Sequence, residues 1–279
     1  MNKYKIQNFV KSSLLHLFLF SVALTCLFPL FWMIRCSLMS MDVIFTDKSI
    51  FPSVLHWSNY LTAWHDGDFG TYFLNSVIYT TSVVVGIVLI ASLAAFAFSR
   101  LEFPFKRWLY ALFIGSMFIP LPGSFVPLVV LMNKIGLANT RIGYILCMIN
   151  VGLALSVMIL KTFFDKMPPD LEDAARIDGC NKWQIWLHVA FPLARPAIAV
   201  IVIFNALNVW NEFILAQLLL SDKNLMPLQK GLMNFQGAYS VNYPVLMAGL
   251  TIAAIPIVLV YLAMQKHIIK GLSSGAVVG

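Results

Sequence analysis

Six apolar runs separated by short polar stretches set the pattern of this chain, at 13–34, 73–98, 108–132, 142–162, 197–219 and 245–264. At about 1.5 Å of rise per helical residue, each run is long enough to cross roughly 30 Å of hydrocarbon. The pattern predicts an all-α integral membrane protein with six transmembrane helices. No internal duplication or low-complexity linker divides the chain, so 1–279 is read as a single transmembrane domain. The longest polar excursion on the outer side is 39–70. Within it Trp57, Tyr60 and Trp64 fall at i, i+3 and i+7, the spacing of a short amphipathic helix at the membrane interface.

Between the fourth and fifth runs lies a polar loop at about 165–195. Pro168 and Pro169 stop the preceding helix, Asp170 is placed to cap a new one, and Asp173 reaches back toward that cap from the third helical position. Ala174 and Ala175 provide a smooth face, and Gly179 a stop. So short a helix gains little from standing alone in water, and a partner protein that accepts a small flat helix explains it.

Composition and charge agree with the membrane reading. Hydrophobic residues make up 60% of the chain and charged ones only 11%, a balance no soluble domain of this length shows. Of the 19 Lys and Arg, thirteen fall on one side of the six runs, among them Lys3, Lys5, Lys11, Arg100, Lys106, Arg107 and the loop's Arg176 and Lys182. That bias puts both termini and the 165–195 loop in the cytoplasm. It also accounts for the net charge of +7 without a nucleic-acid partner. The first run is too long for a cleavable signal, and no small-x-small site follows it. Cys26, Cys36, Cys147 and Cys180 share neither compartment nor metal-ligand spacing and are read as packing residues.

Candidate chemistry is concentrated in the fifth run. Asn205, Asn208 and Glu212 follow one another at three and four residues and so share one face of a continuous helix, with Asn211 and Gln217 close by. Glu212 is the one acid inside any run. A carboxylate in hydrocarbon is costly and usually faces a bundle interior or a wet path. The one-sided, Asn-rich stripe is read as a path for a hydroxylated solute, the alternative being side-chain hydrogen bonding between helices. Pro120, Pro122 and Pro127 interrupt the third run and Pro256 the sixth, each removing a backbone donor and bending or breaking its helix. No Gly-x-x-x-x-Gly-Lys-Ser/Thr phosphate cradle, His-Glu-x-x-His pair or nucleophile elbow occurs. The chain is therefore expected to bind no cofactor or metal and to be no enzyme.

The spacing Asp173-Ala174-Ala175, three residues, Gly179, nine residues, then Val189-Ala190-Phe191-Pro192 resembles the Glu-Ala-Ala loop of importer-type ABC transporter permeases. Asp173, Val189 and Phe191 replace the Glu, Ile and Leu of that pattern. The rest of the chain is similar to the maltose-type, carbohydrate-uptake branch, the binding-protein-dependent inner membrane components. The likeness runs from Asn59-Tyr60 and Asn75-Ser76 through Trp210-Asn211-Glu212-Phe213 to Lys270-Gly271-Leu272 and the glycine-flanked tail, where Val278 stands in a position commonly Lys.

The resemblance implies a permease subunit of an ATP-driven importer in the cell inner membrane, moving a sugar, oligosaccharide or polyol inward. It implies as partners a second homologous permease, two ATPase subunits that use the ATP and Mg, and an external solute-binding protein. Glu172, Asp173, Ala174, Ala175, Asp178, Gly179 and Pro192 would couple to the ATPase. Asn205, Asn208, Asn211 and Glu212 would line the pathway. Pro227, Gly231 and Gly237, in a loop at 221–242 suited to insertion into a cleft, would meet the binding protein. The alternative is a self-contained secondary transporter or channel, which calls for ionisable residues in several spans.

Overall fold

The computed structural model describes residues 3–66, 68–119, 121–235 and 241–276, and every regular element among them is helical. Helix α1 (Lys3–Ser37) is followed by a turn-rich segment and α2 (Ser58–Asp66). Next come α3 (Phe69–Arg100), α4 (Lys106–Gly115), α5 (Leu121–Lys134) and α6 (Arg141–Asp165). The polar loop holds α7 (Asp170–Ile177) and α8 (Lys182–Ile185), which runs through a π-helical turn (Trp186–Ala190) into α9 (Phe191–Leu193). Then follow α10 (Arg195–Asn211), α11 (Ile214–Leu219), α12 (Leu228–Gly231) and α13 (Tyr243–Ala276).

Four helical stretches are individually long and apolar enough to cross a membrane: Lys11–Ser37, Phe69–Arg100, Arg141–Asp165 and Tyr243–Ala263. Two bent pairs qualify only together, Lys106–Phe118 with Gly123–Lys134 and Lys182–Leu193 with Arg195–Asn211, the second bent by 75°. Among the described residues the count is thus four to six. The expected interruption of the third span is observed, and the fifth, expected to be straight, needs correction. The third is divided into α4 and α5, with Pro127 inside α5; Pro120 lies outside the described residues. The fifth begins at a kink carrying Pro192 and Pro196 and ends early, because Glu212 has extended backbone (φ −69°, ψ 131°) that closes α10 at Asn211.

The chain groups into two compact units. One comprises 1–69 and 232–254. In it α2 lies against the end of α1: the Asn59 amide donates to the Ser37 and Met39 carbonyls, each at 2.8 Å, and the Ser37 and Tyr60 hydroxyls lie 2.6 Å apart. Ala63 packs with Val245 and Ala248 of α13 beneath Tyr60. Buried Arg35 donates to the carbonyls of Asp47 and Ser49, each at 2.8 Å, and lies over the Trp32 ring. The turns of the outer segment therefore close on a cation that is held through its Nε and Nη2, while its Nη1 makes no hydrogen bond. The expected helix around Trp57, Tyr60 and Trp64 is α2, although Trp57 precedes its first turn.

The other unit comprises 70–231 and 255–279. Its core joins apolar faces of α3, α5, α6, α10 and α11, with Tyr79 and Tyr144 edge to face at 4.7 Å. Helix α6 starts cleanly because the Thr140 side chain accepts the Gly143 N–H at 3.0 Å. Gly152 sets how closely α6 and α10 approach, since a Cβ there would stand 2.0 Å from Asn205 Oδ1 and 2.6 Å from Ile87 Cδ1.

Candidate functional site

Helix α7 forms where the polar loop was expected to be helical, but it starts differently. Pro169, already in helical conformation, holds the cap position, and its carbonyl accepts the N–H groups of Glu172 and Asp173 at 2.8 and 3.1 Å. Asp170 is therefore the first helical residue and no cap. Asp173 pairs with Arg176 at 3.1 Å and does not reach back. Three acids in the first turn still complement the helix dipole.

The helix stops as expected. Gly179 adopts φ +83°, its N–H donates to the Arg176 carbonyl at 3.0 Å, and the Cys180 N–H donates to the Ala175 carbonyl at 2.9 Å, the paired bonds of a Schellman motif. Nothing lies within 4 Å of a Cβ built on Gly179, so backbone conformation and not space selects glycine. The next turn starts at a feature missed in the sequence, a capping box in which Asn181 and Gln184 exchange bonds of 2.8 and 3.0 Å.

The two alanines do not share a face. Ala175 is buried with Glu172, whereas Ala174 is exposed in line with Leu171 and Ile177. Asp173, Asp178 and Gly179 are exposed as well, and Pro192 is half-buried. Ile177 is 87% exposed and Trp183 of α8 66%; an apolar surface so open on a polar segment is what a protein partner covers.

The expected polar stripe splits into three environments. Asn205 is buried and donates to Ser156 Oγ at 3.0 Å and to the Ile201 carbonyl at 2.7 Å, tying α10 to α6. Asn208 and Asn211 are exposed on this chain. Glu212 sits past the end of α10, so the single continuous face does not form. Its Oε1 accepts the Leu215 N–H and its Oε2 the Ala216 N–H at 3.0 Å, capping α11; the Tyr144 hydroxyl donates to Oε2 at 2.9 Å. A carboxylate placed against the free N–H groups of a helix start is satisfied where it lies.

The far end of α11 is also held. Buried Lys230 donates to the Leu220 carbonyl, and to that of Ala216 at 3.5 Å. Burial pulls its ammonium below the ordinary lysine pKa of 10.5. Tyr144 and Lys230 carried no sequence signal, because each partner is distant in the chain or reached through a backbone carbonyl.

The 221–231 segment is not the pliable loop expected. The Asn75 amide donates to the carbonyls of Asn224 and Met226 at 2.8 and 3.1 Å, Tyr79 to that of Leu225 at 2.7 Å, and Ser76 Oγ accepts the Leu228 N–H at 2.8 Å. Pro227 and Gly231 are buried, and a Cβ on Gly231 would stand 2.1 Å from the Tyr72 ring. Being buried, they are not themselves open to a surface contact, and Ser221, Asp222, Lys223 and Asn224 are the exposed part of the segment. Gly237 lies outside the described residues.

Residues 86–274, from within α3 to within α13, match the family described as binding-protein-dependent transport system inner membrane component. The chain belongs to that family. It is 34% identical over 262 residues to the probable ABC transporter permease protein YurM of Bacillus subtilis, covering 94% of this chain and 87% of that one. It is 33% identical to the diacetylchitobiose uptake system permease protein NgcG of Streptomyces coelicolor, over 88% and 82% of the two chains. The fold is similar to that in the crystal structure of a bacterial ABC transporter involved in the import of the acidic polysaccharide alginate, with a TM-score of 0.81 and 26% identity over 95% of this chain and 98% of that one. As a family member the chain is a multi-pass membrane transport component, and the matched stretch takes in α7, the α10–α11 break and the pinned 221–231 segment.

Proposed function

We propose that the chain is one transmembrane permease subunit of an ATP-driven ABC importer for a sugar, oligosaccharide or polyol, working as a single transmembrane domain in the cell inner membrane. In this reading the two bent pairs each cross once, giving six spans with both termini in the cytoplasm. Helix α7 is the coupling helix, seated in a separate ATPase subunit. A second homologous permease completes the pathway, two ATPase subunits hold the ATP and Mg, this chain binds no cofactor, and an external solute-binding protein delivers the cargo. The cargo class is carried by relatives named for saccharides.

The observation that carries the coupling assignment is α7 itself. It is stopped at both ends, anchored inward by Glu172 and Ala175, and shows an outward stripe of Leu171, Ala174 and Ile177. A rigid helix tied between two membrane segments passes on rigid-body motion that a flexible loop would absorb. Asp173, Asp178 and Gly179 border the outward stripe. Asn208 and Asn211 are the pathway residues open to cargo, with Glu212 fixing the break beside them and Asn205 setting the position of α10. The exposed residues of 221–224, and not buried Pro227 and Gly231, meet the binding protein.

The test is cross-linking in native membranes. Ile177→Cys or Ala174→Cys is expected to link to an ATPase subunit, whereas cysteine at exposed Ser221 links only to partners added from outside the cell. Reversed partners at the two positions would sink the assignment. A self-contained secondary transporter would link to neither.

A further inference from the structure

The guanidinium of Arg100, at the end of α3, is shared three ways. Its Nε lies 2.9 Å from Glu172 Oε1 in the first turn of α7, an ion pair without hydrogen-bond alignment, and its Nη2 donates to the carbonyls of Phe164 and Met167 at the end of α6; the other Glu172 oxygen lies 3.6 Å from Arg176 of α7 itself. Both charged side chains are largely out of water, 13% and 7% exposed. Beside them the Ser99 hydroxyl donates to Asp165 at 2.7 Å, a second tie between the ends of α3 and α6. Only 166–169 separate α6 from α7, and of these Met167 is buried while Pro168 and Pro169 have fixed φ. A buried ion pair adds little net stability, because desolvating both charges offsets their attraction, so a role for this pair is sought in geometry. The guanidinium holds two carbonyls through Nη2 while its Nε places charge against the carboxylate, a spread of contacts that the single ammonium of lysine does not match.

We infer that Arg100 is a positioning residue that makes α7 one rigid body with the ends of α3 and α6, and that Glu172 serves this inward joint and not the ATPase surface. The inference rests on the reading of α7 as the coupling helix. Displacement of α7 by the ATPase then passes directly into two membrane helices, without loss in the short linker.

The test uses the whole complex, purified with its partners, in a chain whose four native cysteines are replaced by serine. Spin labels are placed at Ile177→Cys on α7 and Thr162→Cys on α6, both exposed. Their separation is measured without nucleotide and after trapping with ATP, Mg and vanadate. One narrow distribution, the same in both states, is expected. Arg100→Gln and Glu172→Gln should broaden or shift it, and Arg100→Lys should do so less. Glu102→Gln, which removes an exposed ion pair, should leave it unchanged.

A shift of roughly one helical turn, about 5 Å, on trapping the otherwise unaltered chain would overturn the inference. So would an unaltered narrow distribution in Glu172→Gln. Should that variant fail to accumulate, the trapping comparison in the labelled parent decides alone. Failure of the coupling reading shows separately, as absence of an ATPase cross-link from Ile177→Cys at any label separation.

Discussion

Gly179 and Gly152 are glycines for opposite reasons, and substitutions separate them. Gly179 has open space but φ +83°, so a β-branched side chain meets a backbone penalty of roughly 1–2 kcal/mol, while asparagine visits that region readily. Gly179→Val is expected to release the ATPase and abolish uptake with the chain still in the membrane, and Gly179→Asn to keep most activity; co-purified ATPase and cargo uptake report both. Gly152 has no room for a methyl group against Asn205 and Ile87. Gly152→Ala should destabilise the solubilised complex by about 1–3 kcal/mol, the usual range for overpacking, seen as a lower melting temperature. The stop at Gly179 was legible in the sequence because a Schellman end is local. The need for Gly152 was not, because the atom it avoids belongs to a residue 53 positions away.

Among the elements, the break between α10 and α11 changes what the fifth apolar run does. Six residues of α11 do not make a stable helix alone, and it is held by Glu212 at one end and Lys230 at the other. Each charge has the sign that the helix dipole favours at its end. Glu212→Leu removes a cap and leaves the Tyr144 hydroxyl without its acceptor, so it should cost about 1–2 kcal/mol of stability along with transport. Asn208→Leu is expected to lower uptake with the melting temperature unchanged, because Asn208 faces outward and caps nothing. Equal stability losses in the two variants would return Asn208 to helix packing. Spacing alone placed Asn205, Asn208 and Glu212 on one face, and that inference required a helix continuous through 212. No proline or glycine marks the break, and the carboxylate that ends α10 is recognisable as a cap only once the chain has turned. The α7 boundaries, in contrast, were readable to within a residue or two, since the Pro168-Pro169 pair and Gly179 act on their neighbours alone.

For the whole molecule, apolar runs and charge bias gave the class of protein and the order of its membrane segments, because both follow from transfer of side chains into hydrocarbon. The α4–α5 break was marked by the prolines of the third run, whereas the pinning of 221–231 to α3 depends on contacts between distant segments and emerged only in the fold. The family match covers the same regions, and the proposed mechanism requires that this chain act only in company. A tagged chain, drawn in mild detergent from its native membrane, tests that requirement most directly, with mass spectrometry of what accompanies it and ATPase activity of the eluate. The account predicts a second permease and an ATPase in stoichiometric amounts, both ATPase protein and activity being lost with Gly179→Val. Recovery of this chain alone, active in reconstituted transport without ATP, would contradict it.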